Sequence, residues 1–119
     1  MAPAFDYEEA MAQVGGSDEL LAELIEVFRG EYPPLLDAIE QAIARQQADA
    51  LLQAAHTLKG SVRVLGAGPA ADAALRLEQM GRDDELNGAD QACEAMRVEI
   101  AHLMHALEEW RQGDATSAS

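Results

Sequence analysis

The chain has 119 residues, room for one compact domain. Its hydrophobic content of 49% suffices for a core, but aromatic residues make up only 4%, so that core must be aliphatic. Eight basic residues against 22 acidic ones leave a net charge of −14, which repels phosphate backbones and anionic lipid and excludes nucleic-acid and membrane partners.

Asp6-Tyr7-Glu8-Glu9 has the spacing of a capping box and predicts a short first helix of about two turns, ended by Gly15-Gly16. Ser17 caps a second helix, with Asp18 and Glu19 favourably placed against its dipole. Leu21, Ile25, Phe28, Tyr32, Leu35, Ile39 and Ala42 then recur at alternating steps of four and three, the seam of a packed helix. Pro33-Pro34 remove two amide donors, yet the seam passes them in phase. A loop would normally reset the phase, so one kinked helix is predicted in preference to two joined at Tyr32-Pro33.

A third helix, from about Ala48 to Leu65, carries Leu51, Ala55, Leu58, Val62 and Leu65 at the same spacing. Gly66-Ala67-Gly68-Pro69 stops it and starts a fourth, with proline at its first position. That helix carries Ala70, Ala73, Leu77 and Met80 and is closed by Gly81 to Asp84. A fifth runs from about Glu85 to Arg111, with Cys93, Met96, Ile100, Leu103, Leu107 and Trp110 in phase. Asp83-Asp84-Glu85 reads as a solvated turn capping it. The polar segment 113–119 is expected to be a disordered tail beyond a domain spanning 1–112.

Alanine is the commonest residue, with 24 copies, and favours helices. The fold class is therefore all-α: an antiparallel four-helix bundle with a short extra N-terminal helix. The single cysteine, Cys93, excludes an internal disulfide and a cysteine-based zinc site, and reads as a small core hydrophobe. No apolar run approaches the roughly 20 residues needed to span a bilayer. The acidic N-terminus has no basic n-region, so no secretory signal is expected and the location is expected to be cytoplasmic.

The third helix contains the residues that invite chemistry. His56 lies about 140° from the centre of the apolar stripe and should face solvent, together with Asp49, Leu52, Gln53, Lys59, Gly60 and Arg63. Lys59 is the only lysine in the chain and lies one turn from this histidine. Gly60 costs roughly 1 kcal/mol relative to alanine inside a helix, in a sequence that uses alanine freely. An exposed imidazole is largely neutral at pH 7 and offers a nucleophilic nitrogen. A cation one turn away can neutralise a phosphoryl group in transit. A glycine alongside clears the approach for another protein. Singly, each residue is ordinary; their combination at this spacing is specific.

The run His56-Thr57-Leu58-Lys59-Gly60-Ser61, with Leu65-Gly66 after it and Leu77-Glu78 in the next helix, resembles histidine-containing phosphotransfer (HPt) domains. The resemblance implies that His56 accepts a phosphoryl group through Nε2 from a receiver-domain aspartate and passes it to another receiver in a multistep phosphorelay. It makes Lys59 the phosphoryl-stabilising residue and Gly60 the small residue that admits the receiver. Leu52, Gln53 and Arg63 are the candidate docking residues. Implied partners are response-regulator receivers and a hybrid sensor histidine kinase. The chain itself needs no cofactor, Mg²⁺ belonging to the receiver. Val64 departs from the family, which often has asparagine there.

Two alternatives keep the fold: direct phosphorylation by a kinase catalytic domain, or a receiver-binding adaptor that carries no phosphate. In each case the chain is a carrier or a binder and not an enzyme, because no nucleotide-binding loop is visible. Glu99, His102 and His105 have a spacing seen in bundle metal sites. Such a site needs ligands at core positions of other helices, and the seams there are apolar, so no metal is expected.

Overall fold

The computed structural model describes residues 3–118, with side chains described for 3–113. The described residues form five helices: α1 (Tyr7–Gln13), α2 (Asp18–Ala44), α3 (Ala48–Val64), α4 (Gly68–Arg82) and α5 (Ala89–Ala118). The predicted caps are present. Asp6 accepts a hydrogen bond from the Glu9 amide at 3.1 Å, and Ser17 Oγ accepts from the Leu20 amide at 3.1 Å. Gly15 and Gly16 turn the chain between α1 and α2 at positive φ, where a side chain would be strained.

Helix α2 runs unbroken through Pro33 and Pro34. Both prolines are exposed, so the carbonyls of Arg29 and Gly30, four residues earlier, lose their helical donors on the side that water can reach. Apolar contacts of Ile25, Phe28 and Ile39 hold the helix on both sides of the defect. Phe28 and Tyr32 stack at a 5.2 Å centroid separation.

Neighbouring helices pack in a circuit: α2 on α3, α3 on α4, α4 on α5, and α5 back on α2. The α2–α5 seam carries three ion pairs, Arg29–Glu108 at 2.8 Å, Arg97–Glu40 and Arg111–Glu26. Each step forward along α2 is matched by an equal step back along α5, so these two helices run antiparallel. The core between the helices is aliphatic: Leu21, Leu51, Leu58, Val62, Leu65, Leu77, Met96, Leu103 and Leu107 are all fully buried. The remaining aromatics, Phe5, Tyr7 and Trp110, meet edge to face and tilted, pinning the N-terminal segment to α5. Helix α1 packs on α2, and the Asp6 amide donates to the Gly66 carbonyl at 2.9 Å.

Two boundaries and one face differ from the sequence reading. Helix α5 starts at Ala89 and not Glu85, because Asp84 and Gly88 both take positive φ and the acidic run forms the α4–α5 turn. Helix α4 closes within 81–84 as expected, with Arg82 its last residue and Asp83 its C-cap, while Gly81 lies in the last turn, buried against α3. The buried face of α4 is Ala70, Ala71, Ala74, Leu77, Glu78 and Gly81, whereas Ala73 and Met80 are only half-buried. A helix packed against neighbours on two sides buries a wider face than one stripe. The segment 113–118 continues as helical backbone of α5, and Ser119 lies outside the described residues. Among the described residues no helix is long and apolar enough to cross a membrane.

Candidate functional site

The α3–α4 contact builds the site. Gly81 has no side chain, and a Cβ there would stand 2.7 Å from the Leu52 amide nitrogen and 2.8 Å from the Ala48 carbonyl oxygen. The two backbones therefore approach closely just where α4 leads back to Glu78 and α3 leads on to His56. That closeness lets a short glutamate span the gap.

Glu78 is 2% exposed, a carboxylate on the otherwise apolar face of α4. Its Oε1 lies 2.8 Å from His56 Nδ1 and 2.9 Å from Lys59 Nζ. Its Oε2 accepts from Lys59 Nζ at 3.1 Å and from an Arg82 guanidinium nitrogen at 3.1 Å. A buried carboxylate would ordinarily be pushed up in pKa. The hydrogen bond from Lys59, aided by that from His56 and by both their charges, outweighs burial and lowers Glu78 to about 2.

This settles the tautomer of His56. An ionised carboxylate only accepts hydrogen bonds, so Nδ1 must carry the proton. In the neutral ring Nε2 then holds the lone pair. The His56 side chain is 66% exposed, and the arrangement is a nucleophilic nitrogen presented to solvent with its ring fixed from behind.

Beside His56 runs an apolar groove between α2 and α3. Leu24, Val27 and Phe28 form one wall, and Gly60, Val64 and Leu65 the other. Val27 is 59% exposed, a large hydrophobe left open to solvent. Gly60 is exposed, and a Cβ added there would meet nothing within 4 Å. At the groove's edge Ser61 Oγ donates to Glu31 at 2.5 Å, tying α3 to α2.

His56 and Gly60 thus stand together as expected, but Lys59 is corrected. It is buried and not solvent-facing, because α3 is covered on both flanks and Glu78 supplies a counter-charge on the α4 side. The candidate docking residues are dispersed. Leu52 is half-buried where α3 meets Gly81, and Gln53 is exposed one turn before His56. Arg63 is exposed at a separate polar cleft with Glu9, Gln13 and Asp72. Sequence reasoning assigned no role to Glu78 or Arg82. The available signal was a single acid on the alanine-rich face of the fourth helix, followed by arginine at i+4.

The other weighed residues stay apart from this site. His102 and His105 are exposed on α5, 3.9 Å from Glu99 and 3.0 Å from Glu109 respectively. Cys93 is buried, and burial together with Glu94 and Asp90 pushes its thiol up. No group of three potential metal ligands exists among the described residues.

Comparison with known proteins adds three findings. The crystal structure of histidine-containing phosphotransfer protein B (HptB) from Pseudomonas aeruginosa PAO1 is similar, with a TM-score of 0.86 and 26% identity over 94% of this chain and 97% of that one. No curated protein matches the sequence significantly. The Hpt domain family matches residues 23–112, well over half of the chain. An exposed histidine braced by a buried carboxylate, within a fold and a sequence match of this kind, places the chain in the Hpt domain family, with a histidine phosphotransfer role in phosphorelay.

Proposed function

We propose that His56 is the phosphoacceptor, attacking through Nε2 the phosphorus of a receiver's aspartyl phosphate and later returning the group to a second receiver. The observation that carries this is the 2.8 Å contact between His56 Nδ1 and the ionised Glu78. As the Nε2–P bond forms, the aspartate oxygen leaves with its electron pair. The ring becomes cationic, and its Nδ1 proton stays in the hydrogen bond to Glu78. The carboxylate thus offsets charge that exists only during and after transfer. Lys59 keeps Glu78 ionised and aimed.

The bundle we infer, four antiparallel helices capped by α1, gives this chemistry a docking face. The α2–α3 groove is apolar, and Gly60 leaves the approach to His56 open. The exposed faces of α3 and α4 carry Arg63, Arg76 and Arg82 against Asp49 and Asp72, in a chain of net charge −14. Such a face suits a partner whose own active site is acidic, as a receiver's is. Gln53 and Arg63 would lie at the rim of that contact and set its electrostatics rather than its bulk affinity. The chain acts as a covalent carrier in the cytoplasm, with receivers and a hybrid sensor kinase as partners.

Incubation with a phosphorylated receiver, and separately with a histidine kinase core and ATP, tests the reading. Acid-labile phosphate should appear from the receiver and vanish in His56→Gln. Labelling by the kinase core alone would favour direct phosphorylation, and receiver binding without transfer would favour an adaptor.

A further inference from the structure

Two cations touch Glu78, and they differ in what else they can do. Lys59 binds both carboxylate oxygens, and its side chain is only 10% exposed. It has no route to solvent without abandoning a buried counter-charge. Arg82, the last residue of α4, touches Oε2 with one nitrogen, and its side chain is 58% exposed. The rest of its planar donor fork makes no bond among the described residues, and a fork of this shape suits the oxygens of a phosphoryl group. His56 and Arg82 are bonded to the two oxygens of one carboxylate, and both side chains are largely exposed, so the guanidinium and the imidazole are solvent-accessible neighbours across Glu78.

We propose that Arg82, and not the lysine of the signature run, is the residue that grips the phosphoryl group on His56 Nε2, while Lys59 acts through Glu78 as a positioning residue. This rests on the reading of His56 as acceptor. When the phosphoryl group arrives, Arg82 swings from Oε2 to the phosphoryl oxygens. Glu78 is not stranded, because Lys59 still holds both of its oxygens. The exchange replaces a largely exposed pairing, held weakly, by a charge-assisted contact to a dianion. Arg63 is a poorer candidate, since it faces the cleft with Glu9 and Asp72 rather than the groove beside His56.

The test uses the full chain and a small donor, potassium phosphoramidate, so that receiver docking does not enter. His56 Nε2 forms the bond to phosphorus while the donor's P–N bond breaks and ammonia leaves with the electron pair. Wild type, Arg82→Ala and Arg82→Lys are compared for rate of phosphohistidine formation. The Arg82 Nε–Hε resonance of the wild type is followed by NMR before and after loading. Arg82→Ala should form phosphohistidine about tenfold more slowly, with Arg82→Lys between the two. The Arg82 resonance should shift on loading, while the His56 Nδ1–H signal persists in Arg82→Ala. An alanine rate within twofold of wild type, or an unmoved Arg82 resonance in the loaded wild type, overturns the proposal. Wild-type protein that gains no phosphate on His56 overturns the acceptor reading instead.

Discussion

The close approach of α3 and α4 at Gly81 can be challenged by adding one methyl group. In Gly81→Ala the new Cβ would sit 2.7 Å from the Leu52 amide nitrogen, 2.8 Å from the Ala48 carbonyl oxygen and 3.0 Å from Leu52 Cα. All three are backbone atoms, so no rotamer change relieves the contact and α3 has to move. Overpacking of this kind costs about 1–3 kcal/mol, against which alanine regains roughly 0.5–1 kcal/mol of helix propensity. Gly60→Ala is the matched control: it has the same propensity gain and open space around the added atom. For 119 residues the unfolding entropy is about 250 cal/mol/K, so each kcal/mol moves Tm by about 4 °C. Gly60→Ala should therefore raise Tm by about 2–4 °C, and Gly81→Ala should lower it by up to about 10 °C. Thermal unfolding followed by circular dichroism reads both. Because Gly81 lies one turn from Glu78, Gly81→Ala should also slow phosphotransfer by loosening the Glu78–His56 bond. A Gly81→Ala protein as stable as Gly60→Ala would refute the close approach as the basis of the site.

Lys59→Ala should do more than slow transfer: it strips a buried carboxylate of its main partner and should destabilise by on the order of 3 kcal/mol, read by urea unfolding. Glu78 titrates well below its unfolded value near 4.5, so its contribution to stability is complete above that pH and is lost as pH falls toward about 2. Acid unfolding profiles of wild type and Glu78→Gln should consequently converge across that window, and curves that stay parallel would contradict the ionised state of Glu78. Gly60→Glu should retain the melting temperature yet cut transfer from a receiver sharply, by placing a bulky anion beside His56; unchanged transfer would remove the α2–α3 groove as the docking face.

What the sequence made legible, and what it did not, follows from the range of the signals. The seams of α2, α3 and α5 are local periodicities, and residues such as Leu51, Leu58, Ile100 and Leu107 are buried where that spacing puts them. Asp6 and Ser17 cap their helices because capping involves atoms three residues apart. His56 is exposed because it lies far from the α3 seam. Lys59 escaped the same logic: a helical wheel assumes one covered side, and α3 is covered on two. Glu78 and Arg82 lie on another helix, and their link to His56 exists only once Gly81 has let α4 approach. The turn at 83–88 displaced the start of α5, because Asp84 adopts a positive φ that aspartate tolerates but does not require.

The chemistry turns on Glu78 holding the proton on His56 Nδ1 and so leaving Nε2 as the attacking atom. Nitrogen-15 NMR of selectively labelled histidine at neutral pH measures this directly, before and after phosphorylation. His56 should carry its proton on Nδ1 in the free protein and its phosphorus on Nε2 afterwards, with His102 and His105 unmodified. A free His56 protonated on Nε2, or phosphorus bonded to Nδ1, would contradict this assignment.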